Sequence, residues 1–323
     1  MSKTIVSKVP HVVPYQGSKR KLAKNILDQI KFDVENFYEP FAGSAAVSLA
    51  AATQSIAKNY IISDKLKPLI DLWAEIIQNP DKLINDYGLL WQAQLAEPNN
   101  FYNEVRDEFN DAPTTAAFLY LVARCVKNSI RFNTDGKFNQ SPDNRRLGMK
   151  PSKLAREVLA ASKLLQNKVT VQTADFQDVI RDALPNDVVY MDPPWQGTSS
   201  KRDPRYAYLL NFDELIEALE GLNQRSVPYL LSFDGSCGQR SYGQSLPEAL
   251  ELKKILLHAG RSSQATLLGR EEHTVESLYI SPALLDKASS QNDTCPEQMS
   301  LPNHSLIDEK RYSPASSSKT SLI

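Results

Sequence analysis

The sequence predicts an α/β protein in which a mainly parallel sheet is assembled from two separated segments, with a mainly helical insertion between them. Three observations lead there. Residues 19–64 read as helix, strand, helix, strand, the alternation that builds a parallel sheet. From about Lys67 to Ser162 the spacing turns helical, with no comparable strand. Strand and helix then alternate again up to about residue 284. The chain has 323 residues, 41% of them hydrophobic and 23% charged, enough apolar material for the core of one large or two ordinary domains.

The first segment, residues 1–66, opens with "KRKLAKNILDQI", which places Leu22, Ile26, Leu27 and Ile30 on one helical face. "NFYEP" is a short strand stopped by Pro40, and "FAGSAAVSLAAA" is a glycine turn opening into a helix of small residues able to lie close against a sheet. "YIISD" is a second strand, ending at Asp64. The insertion, residues 67–162, carries helical spacing in "PLIDLWAEII", "DKLINDYGLLWQAQL" and "TTAAFLYLVARCV". The irregular "RFNTDGKFNQSPDNRRLG" follows, in which Asp135-Gly136 between two short runs predicts a hairpin. The second segment, residues 163–284, holds the strands "KVTVQTAD", "DVVYMD", "PYLLSFD" and "ESLYIS" and the amphipathic helix "FDELIEALEGL". Residues 285–323 are polar and Ser-rich, and are expected to be a disordered tail.

Composition excludes several classes. Three widely spaced cysteines read as reduced thiols of a cytoplasmic protein, without a disulfide framework or zinc spacing. Four scattered histidines predict no metal site. No apolar run is long enough to span a bilayer, and the N-terminus lacks a signal-peptide pattern. Net charge is −1, but between Arg124 and Arg156 nine basic residues face only Asp135 and Asp143. Two readings of that stretch stay open: a solvated basic face, or an electrostatic footprint for phosphates.

The chemistry concentrates at strand ends. In "YEPFAGSAAV" a strand, a glycine turn and a helix N-terminus leave backbone N–H groups free for a nucleotide or another polar ligand; a turn made for packing alone is the alternative. Asp64 lies 21 residues after Gly43 at the end of the next strand, where a dinucleotide-type site places its ribose acceptor. A solvated strand-end Asp would look the same. In "PYQGSKRKL" the run Gly17-Ser18-Lys19 offers close approach and donors, though its composition is that of an ordinary loop. Asp175-Phe176 ends "VTVQTAD" and could hold an amino-bearing heterocycle or simply cap the helix "DFQDVIRDAL". "DVVYMDPPW" runs a buried strand into Asp192, Pro193, Pro194 and Trp195. Both prolines fix φ and lack N–H groups. A rigid carboxylate beside a main-chain carbonyl then suits an –NH₂ group, with Trp195 as a stacking surface; a proline-rich turn beside a core Trp is the structural alternative.

Taken in order, "PYQGSK", "YEPFAGSAAV", "YIISD", "TADF", "DVVYMDPPW" and "ESLYIS" resemble the Dam-type, class α DNA adenine-N6 methyltransferases over about residues 12–281. The resemblance implies a Rossmann-like methyltransferase sheet with an inserted, mainly helical target-recognition subdomain. It implies S-adenosylmethionine as cofactor, matching Tyr15, Lys19, Phe41, Ala42, Gly43, Ser44, Asp64, Asp175, Phe176 and Asp192 to cofactor motifs. Asp192, Pro193, Pro194 and Trp195 match the catalytic motif, and "IRFNTDGKFN" is similar to the DNA-contacting hairpin. Three positions depart from the family pattern: Ala45 replaces a second glycine, Ser18 a glycine, and Trp195 a tyrosine. The hairpin region lacks the Phe-Asn-Gly-Leu stretch of many GATC-methylating members, so the resemblance does not carry over a recognition sequence.

The expected reaction is site-specific methylation of adenine N6 in double-stranded DNA, the adenine being flipped out of the helix. Cytosine-N4 or RNA adenine methylation uses the same acceptor logic, and a catalytically silent DNA-binding protein is the alternative from another class. Expected DNA contacts are Arg124, Lys127, Arg131, Asn133, Lys137, Arg145 and Arg146, with Lys201 and Arg202 just after the catalytic motif. The expected partners are double-stranded DNA and a cognate restriction endonuclease, with no membrane and no metal.

Overall fold

The structure, a computed structural model, describes residues 8–194, 210–237, 240–242, 244–261 and 273–292. Eight strands form one sheet: β1 (Val34–Glu39), β2 (Ala57–Asp64), β3 (Val169–Thr173), β4 (Val188–Met191), β5 (Tyr229–Cys237), β6 (Arg240–Tyr242), β7 (Lys253–Arg261) and β8 (His273–Ile280). Their order is β3-β2-β1-β4-β5-β8-β7, with β6 paired to β5. The first five run parallel, and β8 is antiparallel to both β5 and β7. This is a Rossmann-like sheet in which β8 is reversed, as is the short β6 paired to β5. The chain steps outward from β1 to β3, then returns to the other side of β1 with β4. The carboxyl ends of β1 and β4 therefore flank a topological switch point, where open α/β sheets bind their ligands.

Strand β4, "VVYM", is buried at all four positions, as expected of a strand covered on both faces. Val188 and Tyr190 enter the core shared with the N-terminal helices α1 (Ala23–Leu27) and α2 (Ala46–Gln54). Val189 and Met191 enter a second core under α8 (Phe176–Ile180) and α9 (Phe212–Gln224). Leu22, Ile26, Leu27 and Ile30 are all buried, as their spacing predicts, although a 3₁₀ turn at Lys19–Lys21 precedes α1 in place of one continuous helix.

Between β2 and β3 the chain inserts α3 (Lys67–Gln78), α4 (Pro80–Ala93), α5 (Pro98–Asp111), α6 (Thr115–Arg124) and α7 (Pro151–Leu165). Four of the five carry proline in the first turn, where the missing N–H costs nothing. The fifth, α6, is capped by the Thr114 side chain accepting from the Ala117 N–H. Helix α7 also packs on α2, and α3 packs on β2 and β3, so the core runs without a break from the sheet into the insertion. The hairpin is present in minimal form. Phe132 and Phe138 make one antiparallel bridge, and Gly136 turns the tip at φ +73°.

Two expectations need correction. The polar tail does not begin at residue 285, because α10 (Pro282–Asn292) continues past it. Leu284 is buried, and the Lys287 Nζ lies 4.8 Å from the Phe32 ring centroid and donates to Asn186. Strand β7 is not among the expected strands. Its "KKILLH" run lacks clean alternation and leaves Leu256 exposed, the mixed character of an edge strand.

Candidate active site

The glycine turn between β1 and α2 is held from three sides. Ala42 N–H donates to the Ser63 carbonyl at 2.9 Å, Gly43 N–H donates to Asp64 Oδ2 at 3.1 Å, and Trp73 Nε1 donates to the Gly43 carbonyl at 3.1 Å. Gly43 sits at φ +49°, and a Cβ there would come within 3.0 Å of the Tyr15 ring. Backbone conformation and the close approach of Tyr15 therefore both require glycine. Ala45 also adopts the left-handed region, at φ 45°, so the position where the family has a second glycine keeps glycine-like geometry at a cost of roughly 1–2 kcal/mol. The Ser18 and Ser44 hydroxyls meet at 2.8 Å and tie the "QGSK" loop to this turn.

Asp64 spans the gap to the next loop, with Oδ1 accepting from Leu66 N–H at 3.0 Å while Oδ2 holds Gly43. The Lys65 N–H also bonds to this carboxylate. Burial raises the Asp64 carboxyl above its ordinary range, against the lowering effect of these N–H groups. Asp175 is an N-cap, accepting from Gln177 N–H at 3.2 Å, and also pairs with Lys65 at 3.0 Å. The Phe41 and Phe176 rings face each other at 5.1 Å with a 30° tilt. Tyr15, Gly43, Asp64, Asp175 and Phe176 line one cleft with Lys19, Asp192, Pro193 and Pro194.

At the Asp192-Pro193-Pro194 side of that cleft, Lys19 is buried and central. Its Nζ lies 2.9 Å from Asp192 Oδ1 and 3.4 Å from Glu276 Oε2, and donates to the Gly17 carbonyl at 3.2 Å. Asp192 keeps 19% of its side chain exposed. Burial pushes its carboxyl up to about 6, opposed by Lys19 and reinforced by Glu276. Behind it lies Glu39, at the end of β1, which accepts from Ser48 N–H at 2.7 Å and so caps α2 from the strand. Burial pushes Glu39 up to about 7. Tyr190 and Ser232, both buried, share a hydrogen bond at 3.1 Å beneath this cluster.

Glu39 and Glu276 are members of the cluster that reading for motifs passed over. Glu39 stands in "YEPFAG", where its strand-end position is the one available signal. Glu276 stands in "ESLYIS", which reads only as a strand. Trp195, Lys201 and Arg202 lie outside the described residues.

The insertion handles its charges differently from expectation. Arg124 is fully buried. It donates to Gln94 Oε1 and to the Pro98 carbonyl and lies about 6 Å from the Tyr102 and Tyr120 ring centroids. It joins α4, α5 and α6 and does not reach the surface, which corrects its assignment to DNA. Arg146 braces the hairpin base, donating to the Cys125 carbonyl at 2.9 Å and to Asn128 at 3.2 Å. Asn133 shapes the hairpin tip by accepting from the Asp135 and Lys137 N–H groups. Arg145 is exposed but engages Asp143 through Nε and Nη2 at 2.9 and 3.0 Å. Lys127 and Lys137 are exposed, and Arg131 is half-buried. Among the described residues no group of His, Cys, Asp and Glu could hold a metal ion, and no helix is long and apolar enough to cross a membrane.

The chain is similar to several known proteins. A family profile described as D12 class N6 adenine-specific DNA methyltransferase matches residues 15–258. The retron Ec67 DNA adenine methylase of Escherichia coli is 30% identical over 71% of this chain and 79% of its own length. The type II methyltransferase M.MjaIII of Methanocaldococcus jannaschii is 27% identical over 73% of this chain and 86% of its own. The DNA adenine methylase of Haemophilus influenzae is 26% identical over 56% of this chain and 62% of its own.

Proposed function

We propose a mechanism from one premise: the chain belongs to the D12 class of N6 adenine-specific DNA methyltransferases. An enzyme of this kind transfers a methyl group to adenine N6. The donor in this reading is S-adenosylmethionine, and the acceptor is an adenine flipped out of double-stranded DNA. The observation that carries the reading is the switch-point cleft, in which Asp192-Pro193-Pro194 and the Tyr15-backed glycine turn line the same cavity.

The cleft suits this donor. Asp64 is the acceptor this reading assigns to ribose hydroxyls, the Phe41–Phe176 pair offers flat surfaces to an adenine, and among the described residues Asp64, Asp192 and Glu39 outnumber the buried cation Lys19. That excess favours a ligand carrying positive charge. When bound, the donor supplies a methyl group whose bond to sulfur breaks with its electron pair left on sulfur. Asp192 and the Pro193 carbonyl accept the two hydrogens of the target amine. Drawing those hydrogens aside takes the nitrogen lone pair out of the ring, where it can form the new N–C bond. One amine proton is lost as that bond forms. Lys19 favours the carboxylate form of Asp192 and fixes its direction. Because both prolines lack an N–H and have a fixed φ, the acceptor pair is rigid before the amine arrives, which is where positioning contributes most to rate. Trp195, next along the chain, is the residue this reading assigns to stack on the extruded base.

Lys127, Arg131, Lys137 and Arg145 are the proposed phosphate and base contacts among the described residues. A cognate endonuclease cutting the same unmethylated site is the proposed partner, by extension from the type II relative. The test is to incubate the protein with DNA and S-adenosylmethionine, digest the DNA to nucleosides and identify the modified base by mass. N6-methyladenosine is expected as its deoxynucleoside. N4-methylcytosine, or no modification, overturns the reading.

A further inference from the structure

Glu276 lies on β8, which runs antiparallel to β5 and β7, yet its carboxylate reaches the cation that holds Asp192. Three acceptors surround Lys19 Nζ: the Gly17 carbonyl at 3.2 Å, Asp192 at 2.9 Å and Glu276 at 3.4 Å. Both carboxylates are mostly buried, with side-chain exposures of 19% for Asp192 and 16% for Glu276. Glu276 Oε2 has no hydrogen-bond donor among the described residues, so its attraction to Lys19 is that of charge. The other groups facing this cluster are Glu39 from β1 and Tyr190 from β4, the latter paired with Ser232 of β5. Among the described residues, Lys19 is thus the one cation facing Asp192, Glu276 and Glu39.

A lone Lys19–Asp192 pair in such a site would bind tightly, because charge attraction is strong where water is excluded. It would hold the carboxylate to the ammonium and weaken it as an acceptor for an incoming amine. A second carboxylate on the same ammonium divides that attraction. It also repels the Asp192 charge, and a like charge nearby raises proton affinity.

We propose that Glu276 is a positioning residue for methyl transfer: by sharing Lys19 with Asp192 it loosens that ion pair and makes the Asp192 carboxylate a stronger acceptor for the target amine. This rests on the reading of Asp192 as the amine acceptor. Glu276 does not touch the amine and acts through Lys19.

The test uses the full-length Glu276→Gln protein, which keeps shape and removes charge. Single-turnover methylation should slow by about 10- to 100-fold, with KM for S-adenosylmethionine within about twofold of wild type. In the absence of cofactor, the Asp192 carboxyl is followed by ¹³C NMR, its signal identified by its loss in Asp192→Asn. Its titration midpoint should fall by about half a pH unit or more when the neighbouring charge is removed. The acid limb of the rate profile should move to lower pH with it, because Asp192 must be ionised to accept. A reduced rate with an unmoved midpoint would mean a structural role and overturn the proposal, as would an unchanged rate. If Glu276→Gln does not fold, Glu276→Asp keeps the charge but withdraws it from Lys19, and a wild-type rate in that variant overturns the proposal. If Asp192→Asn itself transfers methyl at the normal rate, the catalytic reading fails. If it is inactive while the Glu276→Gln midpoint stays put, only the present inference fails.

Discussion

The two charged regions of this molecule treat their carboxylates in opposite ways. At the switch-point cleft, Glu39, Asp64 and Asp192 are all shifted upward, chiefly by burial. In the insertion, Arg145 and then Arg146 hold the buried Asp143 carboxyl far below its usual range. Among the described residues, the first region has fewer cations than acids and the second has more. Asp143 is satisfied by its own neighbours and anchors the segment that carries the basic residues. Among the described residues the cleft acids lack such compensation, an arrangement that favours a ligand carrying positive charge. Perturbed acids in a cleft mark function more often than satisfied ones do.

The strongest way to break this comparison is to remove the proposed acceptor, Asp192. Asp192→Ala should reduce methyl transfer by at least about 10³-fold, the scale on which a lost charge-stabilising group acts, while DNA affinity measured by titration stays within about twofold. Transfer at the wild-type rate would remove Asp192 from the chemistry.

The next effect belongs to the insertion and is one of stability. Arg124→Met leaves the Pro98 carbonyl without its donor and removes the cation from between Tyr102 and Tyr120. A destabilisation of about 2–4 kcal/mol is expected from a buried acceptor left unpaired and lost packing, read from urea unfolding. A variant as stable as wild type that binds DNA weakly would instead make Arg124 a surface contact.

How much of this was legible depended on whether a residue acts through its neighbours in sequence. Asp64, Asp175 and Asp192 stand at the ends of apolar runs, so strand geometry alone brings them to one edge, and the structure gathers them in one cleft. Gly43 was legible because a strand entering a helix needs a turn there. Glu276 was not, since its partner Lys19 comes from the opposite end of the chain and the pairing depends on β8 lying beside β5 in an order no local pattern specifies. Arg124 was misread for a related reason. In sequence it begins a basic run, but it closes the apolar helix α6, and its packing among α4, α5 and α6 decides its fate.

Glu39 tests the electrostatic half of the comparison by its sign. Burial pushes it up to about 7 from the usual 4.5, so the fold favours the protonated acid. The associated stability is present below about pH 4.5 and is lost as pH rises through 7, an effect on the order of 3 kcal/mol. Glu39→Gln keeps an oxygen for the Ser48 N–H and carries no charge at any pH. Without cofactor it should therefore be more stable than wild type at pH 8, by on the order of 2–3 kcal/mol, and close to wild type at pH 5. Asp143 has the opposite sign: its contribution is present at neutral pH and is lost only in acid. Equal stability differences at pH 5 and pH 8 would show that Glu39 is not held against its charge.

The smallest expected effect separates the exposed basic residues from those that hold the hairpin together. Lys137 is exposed at the hairpin tip, where its side chain is not needed for the turn: the Asn133 side chain accepts its backbone N–H, and Asn133 N–H donates to its carbonyl. Lys137→Ala should keep the fold and weaken DNA binding by a few-fold, with the slope of log affinity against log salt falling by about one. Arg146→Ala removes donors to Cys125 and Asn128, so it should lower the melting temperature as well as the affinity. If both variants lose affinity with unchanged melting and equal loss of salt slope, Arg146 contacts phosphate as Lys137 does. The contrast between self-satisfied and outward-facing charge in the insertion would then have to be redrawn around Arg124 and Asp143 alone.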